Sequence, residues 1–200
     1  EMENVMAKFY AVKIGRKPGI YNSWDECKMQ VDKFKGAVYK SFSNKEDALM
    51  FIEEKKVHFN NGLIAYVDGS YNVKTKEYGF GCILIEGQKV IKELSGKGDK
   101  EALVSMRNVA GEILGSLAAM KFALENGYPG VCIYYDYEGI EKWANGLWRA
   151  NKIGTQNYQK LVNEYRKKIN ISFIKVLAHS GDFFNERADK LAKKAVGING

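Results

Sequence analysis

The order of strand-like and helix-like segments after residue 62 constrains the fold more than any other feature of the sequence. Three apolar segments, at 63–68, 78–86 and 89–95, follow one another with short, turn-rich connections, and this pattern favours an antiparallel meander. Two further strand-like segments, at 131–136 and 171–178, each follow helical patterns, and such crossovers join strands in parallel. We therefore predict an α/β fold with a mixed five-stranded sheet flanked by helices.

A smaller module precedes this sheet. Its predicted elements are strands at 8–15 and 37–42, a basic turn at 15–21, and helices at 23–34 and 43–54. Ser23 and Ser43 are each followed three residues later by a glutamate, a pattern typical of helix N-caps. The module is small but long enough to form a compact α+β domain.

The remaining helices complete the predicted domain organisation. They are expected at 109–126, 138–147 and 156–169, with a last helix that ends near Val196. We predict a small domain over 7–54, a linker over the charged and polar segment 55–62, and the α/β domain over 63–197.

Charge and cysteine content narrow the classes of function. The 31 Lys and Arg residues exceed the 24 Asp and Glu residues, for a net charge of +7, which favours an anionic partner such as nucleic acid. There is no run of about 18 apolar residues, so we predict no membrane-spanning helix and no membrane partner. The three cysteines are odd in number and lack the spacing of a zinc site, so we expect a reducing, cytoplasmic location.

Two aspartates close predicted strands. Asp68 ends the segment 63–68, and Asp136 ends the segment 131–136. Each has an ordinary alternative interpretation: Asp68 with Gly69 could form a hairpin turn, and Asp136 could cap the next helix. The functional interpretation is that the two carboxylates meet at one edge of the sheet.

Two helical acids have a similar ambiguity. Glu112 begins a strip of small residues, which continues with Ser116, Ala119 and Ala123 and would face the sheet if that strip is buried. Its alternative role is an acid placed favourably on the helix dipole. Asp189 projects at the edge of the apolar stripe of the last helix, whereas we expect Lys193 to mark the solvent-facing side.

Convergence of the four acids would create a cation site. Four packed carboxylates repel one another unless cations intervene, and ligands that are all oxygen atoms select Mg²⁺ or Mn²⁺ rather than zinc. Two such ions about 4 Å apart can activate a water molecule and stabilise the leaving oxygen of a phosphodiester. A basic protein with such a site is a nuclease candidate.

Four motifs around these acids resemble type 1 ribonuclease H. They are YVDGSYN, NVAGEILGSLAA, IYYDYEGIEKWANGLWRANK and VLAHSGDFFNERADKLAKKA. The resemblance implies that the metal-binding catalytic residues are Asp68, Glu112, Asp136 and Asp189. It implies two Mg²⁺ ions, with Mn²⁺ as a substitute, and endonucleolytic hydrolysis of the RNA strand of an RNA–DNA hybrid to leave 5′-phosphate and 3′-hydroxyl ends.

The same resemblance assigns residues around the carboxylates. It implies that His179 assists proton transfer or product departure, and that Asn185 contacts the substrate nearby. Ser70 and Asn108 are implied in contacts with the 2′-hydroxyls that distinguish RNA. The ordinary alternatives are a solvated histidine, a turn serine and an N-cap asparagine.

The segment WANGLWRANKIG at 143–154 resembles the family's basic, aromatic substrate-handling region, although it is shorter than in some members. The resemblance implies that Trp143, Trp148, Arg149 and Lys152 grip the DNA strand. The alternative is that at least one of the two tryptophans belongs to the core.

The N-terminal segment KFYAVKIGRKPGIYNSWDECKMQVDKFKGAVYKSF resembles the hybrid-binding domain that precedes many type 1 ribonucleases H. By matching position, Trp24 and Tyr39 would stack against the DNA backbone, Lys40 would meet a phosphate, and Tyr10 would lie near the RNA. Ser41 stands where the family often has a second lysine.

The aromatic residues of the module have a second interpretation, in which they form a small core. For Phe9, Phe34 and Phe51 we prefer that interpretation.

Two competing functions remain open from the sequence. One is a non-catalytic protein that binds hybrids, in which the carboxylates are structural. The other is a related metal-dependent nuclease that cuts DNA. Nothing in the pattern requires a protein partner or symmetry, so we expect a monomer whose partner is the hybrid duplex.

Overall fold

The computed structural model describes residues 7–57, 62–176 and 183–199, and the side chains of 53–57 lie outside that description. The chain forms two compact units, Glu1–Phe59 and Asn60–Gly200. In the part of the chain that is described, every helix is too short or too polar to cross a bilayer.

The N-terminal unit is a three-stranded antiparallel sheet with two helices. Its strands are β1 (Phe9–Ile14), β2 (Gly19–Tyr21) and β3 (Val38–Phe42), in the order β2-β1-β3, and its helices are α1 (Trp24–Val31) and α2 (Lys45–Val57). The end of the predicted basic turn is therefore a strand. This segment becomes strand β2 because it pairs with β1, where Tyr10 lies opposite Tyr21.

The N-cap of α1 agrees with the sequence prediction, whereas the N-cap of α2 differs from it. The Ser23 side chain accepts a hydrogen bond from the Glu26 backbone N–H at 3.2 Å, as predicted. At the second helix the cap is Asn44 rather than Ser43, because Asn44 Oδ1 accepts from the Asp47 N–H at 2.8 Å. Asn and Ser cap helices about equally well, so the choice depends on where the strand before the helix ends.

The core of the N-terminal unit is built from small residues. Val12, Cys27 and Val31 pack together between β1 and α1. The aromatic core that we predicted is wrong in this respect, because Phe9, Phe34 and Phe51 are only half-buried. The partly buried hydrophobic residues that pack against the small core are Tyr10, Tyr21 and Ala37 instead.

The C-terminal unit contains the predicted mixed sheet. Its strands are β4 (Leu63–Asn72), β5 (Glu77–Glu86), β6 (Lys89–Lys97), β7 (Gly130–Tyr135) and β8 (Asn170–Lys175), in the order β6-β5-β4-β7-β8. The first three pair antiparallel, and β7 and β8 join in parallel. The prediction of an antiparallel meander extended by parallel strands is confirmed.

In the described part of this unit, five helices accompany the sheet. They are α3 (Glu101–Val104), α4 (Asn108–Glu125), α5 (Gly139–Ala144), α6 (Ile153–Arg166) and α7 (Phe183–Ala195). Helix α4 packs on one face of the sheet, where Ile113 and Met120 meet Leu63 and Val67. The other face is covered by α7, whose Phe184 ring lies 5.3 Å from that of Tyr66.

One predicted strand end is wrong. We expected the strand that carries Asp68 to end there, but β4 continues to Asn72 because its ladder with β5 continues, with Asp68 opposite Gly81 and Asn72 opposite Glu77. The hairpin turn comes later, where Asn72 Oδ1 accepts hydrogen bonds from the N–H groups of Lys74 and Thr75. Asp68 is therefore not a turn residue.

Glycines bring α4 close to the sheet. A Cβ atom at Gly111 would lie 1.9 Å from the Gly79 carbonyl oxygen and 2.8 Å from the Gly69 Cα. The backbone of α4 can therefore approach β4 and β5 only because residue 111 has no side chain. This approach fixes the start of α4, where Glu112 follows.

Candidate active site

Three of the predicted carboxylates meet at one edge of the sheet. The oxygen atoms of Asp68, Glu112 and Asp136 lie within 4.8 Å of one another. The parallel register places Tyr66 of β4 opposite Tyr134 of β7, so the aspartates two residues further along each segment arrive side by side. Asp68 is 8% exposed and Glu112 is 2% exposed, so the cluster is largely dehydrated.

Glu112 is held in place by the segment that carries Asp136. Its Oε1 accepts hydrogen bonds from the backbone N–H groups of Asp136 at 2.8 Å and Tyr137 at 3.3 Å. The strip of small residues behind it is buried, as predicted, and Ser116 Oγ donates to the Glu112 carbonyl oxygen at 2.8 Å. The helix-dipole interpretation of Glu112 is wrong, because the first turn of α4 contains no acid.

Asp136 is not a helix cap. The N-cap position of α5 is occupied by Glu138, whose side chain makes no capping hydrogen bond. The half-buried Asp136 carboxylate instead turns toward the other acids. The interpretation in which this residue only starts the next helix is therefore excluded.

Asp189 lies at the same cleft but outside the group of three. A cleft of about 120 Å³ is lined by Asp68, Asp136, Asn185, Glu186 and Asp189. Asp189 Oδ2 lies 2.8 Å from Lys193 Nζ, so Lys193 shares its side of α7. Our prediction that Lys193 marks the solvent-facing side was wrong, because residues four apart lie nearly above one another on a helix.

Burial and mutual repulsion raise the pKa values of the two most buried acids. The pKa of Asp68 rises from 3.8 to about 8, first because of burial and then because of Asp136, with a smaller contribution from Asp189. The Gly69 N–H and Lys193 lower the pKa of Asp68 only partly. Burial, followed by repulsion from Asp136, raises the pKa of Glu112 well above its ordinary value.

These properties fit a site for hard divalent cations. The donors are carboxylate oxygens alone, which Mg²⁺ and Mn²⁺ prefer. The protein supplies too little positive charge to balance them, as the raised pKa values of Asp68 and Glu112 show. A bound cation would remove the repulsion that raises those pKa values.

The other predicted residues near the cluster are distributed as follows. Asn185 is buried and lines the cleft, and Ser70 is 7% exposed within β4, opposite Gly79, so it is not a turn residue. Asn108 is exposed and is the first residue of α4, and the N-cap position belongs to Arg107. His179 lies outside the described residues.

A second cavity is lined by Tyr137, the residue that follows Asp136. It has a volume of about 380 Å³ and is lined by Met106, Val109, Tyr137, Trp143, Arg149, Asn151, Lys152 and Thr155. Three of the residues predicted to contact substrate therefore line one pocket. Trp148 does not line the pocket, but its ring lies 5.8 Å from that of Trp143, which does.

Trp143 also packs against the core, as the alternative interpretation required of one tryptophan. Tyr137 was not among the predicted site residues, although it is 37% exposed and its ring lies 5.8 Å from that of Trp143. Gly139 permits this arrangement, because a Cβ atom there would lie 2.6 Å from the Tyr137 ring and 2.8 Å from the Trp143 ring; these distances exist only in the folded chain, so the sequence offered no signal for Tyr137.

The aromatic residues of the N-terminal unit form an exposed patch. The Trp24 ring lies 6.0 Å from that of Tyr10 and 5.9 Å from that of Tyr39. Trp24 is 43% exposed and Tyr39 is 45% exposed, which is unusual for side chains of this size. We name the surface formed by Tyr10, Trp24 and Tyr39 the aromatic patch.

Lys40 and Ser41 lie on opposite faces of β3. Ser41 is paired with Tyr10, and Tyr39 with Val12, so Ser41 shares the face of the aromatic patch. Lys40 projects from the other face, where its Nζ lies 5.4 Å from the Phe42 ring.

A mixed five-stranded sheet with three carboxylates gathered at one edge, in a unit that also has a basic pocket, defines a nuclease of the ribonuclease H-like class. The RNase H family model matches residues 60–197, and the model of the Ribonuclease H1 N-terminal domain matches residues 8–52. The chain belongs to the RNase H family.

Relatives cover both units. Ribonuclease H1 of Mus musculus is 23% identical over an alignment 261 positions long, which covers 94% of this chain and 89% of the mouse protein. Ribonuclease H of Saccharomyces cerevisiae is 46% identical over 61 residues, which are 30% of this chain and 18% of the yeast protein.

Solved structures match the C-terminal fold. RNase H1 from Halobacterium salinarum superposes with a TM-score of 0.57 at 22% identity and covers 67% of this chain and 96% of that one. LC11-RNase H1, solved in complex with an RNA/DNA hybrid, superposes with a TM-score of 0.56 at 17% identity, with the same coverage of both chains.

Proposed function

We propose that this protein is an endoribonuclease that hydrolyses the RNA strand of RNA–DNA hybrids with two divalent metal ions and leaves 5′-phosphate and 3′-hydroxyl ends. The observation that carries the proposal is the meeting of Asp68, Glu112 and Asp136 within 4.8 Å. Two buried acids and one half-buried acid that repel one another are costly unless they serve a bound cation. Membership of the RNase H family supplies the class of reaction.

Four carboxylates would hold the ions: the cluster of three and Asp189 at the mouth of the cleft. When bound, Mg²⁺ or Mn²⁺ supplies Lewis-acid stabilisation of the charge that develops at the scissile phosphate. Mg²⁺ is our proposal for the physiological ion, and Mn²⁺ is a substitute with similar ligand preferences.

The chain itself contributes orientation. The N–H groups of Asp136 and Tyr137 fix the Glu112 carboxylate, and the ammonium of Lys193 holds Asp189 at 2.8 Å. Burial of Asp68 and Glu112 lowers the local dielectric constant, which would strengthen their attraction for a cation. We further propose that His179 assists proton transfer or product departure.

The substrate is proposed to lie across the cleft and the neighbouring pocket. Arg149 and Lys152 line that pocket and can neutralise phosphates of the DNA strand. The apolar side of the same pocket contains Trp143, and Trp148 supports it. The hybrid complex of the structural neighbour LC11-RNase H1 supports this choice of substrate.

Contacts with the RNA strand are proposed for three polar residues. Asn108 is exposed at the start of α4, and Asn185 lines the carboxylate cleft. Ser70 lies on β4 two residues after Asp68. These positions next to the carboxylates suit groups that recognise a 2′-hydroxyl.

The N-terminal unit is proposed to bind the hybrid through the aromatic patch; Lys40, which we expected to meet a phosphate, projects from the opposite face of β3 and does not share that surface. Exposed rings stack on nucleic acid without reading its sequence. A weak grip of this kind raises the local concentration of hybrid for the catalytic unit and favours repeated cuts. A monomer in the cytoplasm remains our prediction for the state and location of the protein.

The test is a cleavage assay on end-labelled duplexes of one sequence. We expect the RNA strand of the hybrid to be cut with Mg²⁺, to remain intact with EDTA, and to be cut again when Mg²⁺ is restored. Equal cutting of a DNA duplex would favour the competing DNA nuclease. Hybrid binding with no cleavage in Mg²⁺ or in Mn²⁺ would favour the non-catalytic binding protein.

A further inference from the structure

The loop between α5 and α6, residues 145–152, carries Trp148, Arg149 and Lys152, which the proposed function assigns to the substrate. We propose that α6 is the support that holds this loop in its binding shape, and that Arg166 is its main positioning residue, with Gln159 as the second. The inference rests on the proposed function, because it explains how the substrate loop of that function is kept ready to bind.

Arg166 and Gln159 hold the point where the loop leaves α5. Arg166 Nη1 donates to the Ala144 carbonyl oxygen at 3.0 Å, and Nη2 donates to Asn145 Oδ1 at 2.6 Å. Gln159 Nε2 donates to the Trp143 carbonyl oxygen at 2.9 Å. The last carbonyls of a helix lack partners within the helix, and a cation at that end is favourable.

These hydrogen bonds determine where α5 ends, because α5 is short. It contains only the six residues Gly139–Ala144, far fewer than an isolated helix needs to be stable. Its C-terminal end is therefore defined by what surrounds it. Arg166 is itself held in place, since its guanidinium lies 5.8 Å from the centre of the Phe173 ring on β8.

The substrate-contacting residues follow directly from the end of α5. The N–H groups of Leu147 and Trp148 donate to the Lys142 carbonyl oxygen at 2.8 and 3.1 Å. These bonds turn the chain so that the Trp148 ring reaches Trp143. A shift of the α5 terminus would therefore move Trp148 and the adjoining Arg149.

The other end of the loop is tied to the same helix. Gln156 Nε2 donates to the Ala150 carbonyl oxygen at 3.2 Å. Thr155 Oγ1 donates to the Lys152 carbonyl oxygen at 2.9 Å and accepts from the Lys152 N–H at 3.2 Å. One helix thus fixes both ends of the loop.

The consequence is a preorganised loop. A loop that is ordered before binding loses less conformational entropy when substrate arrives, so preorganisation lowers KM without a new contact. Neither Arg166 nor Gln159 lines the pocket or the carboxylate cleft. Their effect should therefore appear in substrate affinity and not in the metal requirement.

The experiment measures hybrid cleavage by Arg166→Ala and Arg166→Lys. We expect Arg166→Ala to raise KM about tenfold, with kcat at saturating hybrid and the Mg²⁺ concentration for half-maximal rate both within about twofold of the wild-type values. Arg166→Lys should fall between, because lysine keeps the charge but its single nitrogen cannot reproduce the two separate donors of the planar guanidinium. Lys167→Ala removes the same charge one residue along, at an exposed position, and should leave KM unchanged.

A double-mutant cycle with Arg149→Ala separates positioning from general damage. If Arg166 acts through the loop, Arg166→Ala should raise KM much less in the Arg149→Ala background than in the wild type. A purely additive result would overturn the inference. So would a loss of kcat or of thermal stability that occurs without a change in KM.

Hydrogen exchange gives a readout independent of activity. The amides of Leu147 and Trp148 should exchange faster in Arg166→Ala than in the wild type, and unchanged exchange would contradict the proposal. If Arg166→Ala does not fold, Gln159→Met, which keeps the length of the side chain and loses the donor, carries the same measurements. Its KM must rise and its loop amides must exchange faster for the inference to stand.

The outcomes distinguish the two proposals. If the wild type does not cut hybrids, the proposed function fails, and the inference fails with it. If the wild type cuts hybrids and Arg149→Ala raises KM, but Arg166→Ala and Gln159→Met do not, only the inference fails. An Arg149→Ala variant with unchanged KM also refutes the inference, because the loop would then not contact the substrate.

Discussion

Glu112 shows how the environment of one residue defines a site. It is almost fully buried, yet its carboxylate faces Asp68 and Asp136 and accepts two backbone hydrogen bonds. Those bonds stabilise the charged form, whereas burial and the neighbouring acids oppose it. A carboxylate whose charged form is both stabilised and opposed in this way is suited to binding a cation and poorly suited to a purely structural role.

Replacement of Asp68 by Asn tests the cluster directly. The side chain keeps its shape but loses a ligand charge, so we expect hybrid cleavage to fall on the order of a thousandfold, which corresponds to several kcal/mol. Binding of the hybrid should persist, as measured by fluorescence anisotropy. The exposed acid Asp99 provides the matched control, and Asp99→Asn should retain wild-type cleavage.

The raised pKa of Asp68 predicts how the stability of the metal-free protein depends on pH. Because the pKa rises from 3.8 to about 8 in the folded protein, the folded state keeps a proton that the unfolded state releases. Stability from this group is complete below the unfolded pKa and is lost as pH rises toward 8. We therefore expect Tm in EDTA to fall between pH 5 and pH 8.

The control for that prediction is the Asp68→Asn variant, which cannot titrate at this position. Its Tm should fall less over the same pH range, and Mg²⁺ at pH 8 should raise the Tm of the wild type more than that of the variant. Parallel pH profiles for the two proteins would show that Asp68 is not a principal source of the pH dependence.

Among single residues, the sequence identified the acids but not their partners. Asp136 followed from a strand end and Glu112 from a buried strip on a helix, whereas Asp68 was singled out from a strand end that the structure does not have. The backbone donors to Glu112 could not be foreseen, because they depend on how the segment after β7 turns. The role of Lys193 could have been foreseen from its spacing to Asp189, and we assigned it to the wrong side.

At the scale of elements, the approach of α4 to the sheet determines where Glu112 lies. A Cβ atom at Gly111 would lie 1.9 Å from the Gly79 carbonyl oxygen, which is backbone and cannot move aside alone. Any side chain at this position must therefore push the first turns of α4 outward. The resulting displacement would reach the carboxylate one residue later.

Gly111→Ala should accordingly reduce activity more than the addition of a single methyl group would suggest. We expect kcat to fall about a hundredfold, the order of loss for a misplacement of about 1 Å, together with a lower Tm. Gly115→Ala is the matched control on the same helix, because a Cβ atom there meets Phe80 at 3.3 Å. Its small steric cost is offset by the higher helix propensity of Ala. Equal activity losses in the two variants would contradict this explanation.

The kinds of element were predictable, whereas several of their ends were not. Periodicity identified the long helix and the strands of the mixed sheet. The sequence could not show that β4 continues past Asp68, because the ladder with β5 and not the local residues decides that end. Helix α6 begins at Ile153 and ends at Arg166, three residues earlier at each end than predicted, since Thr155 makes hydrogen bonds to Lys152 at its start.

At the scale of the molecule, the two compact units divide binding from chemistry in our proposal. The carboxylate cluster belongs to the C-terminal unit and the aromatic patch to the N-terminal unit. The sequence predicted that two units exist and named the residues of the patch. It could not show which of Lys40 and Ser41 shares the face of the patch, because that depends on the register between β1 and β3.

Trp24→Ala tests the division. The loss of one stacking ring should weaken hybrid binding by about 1–3 kcal/mol and raise KM, while kcat at saturating hybrid stays the same. Met29→Ala is the control, since Met29 is 71% exposed on the same helix and outside the patch. A fall in kcat with unchanged KM would show that the N-terminal unit acts on the chemical step instead.

The carboxylates are contributed by segments far apart along the chain, and this has a consequence for biosynthesis. In chain order Asp68 comes first, Asp136 follows only after α4 has been made, and Asp189 belongs to α7. A nascent chain, or one released by a premature stop codon before α7, lacks Asp189, so the ligand set that we propose is incomplete in it. Such a chain should therefore be unable to degrade nucleic acid until α7 has been synthesised.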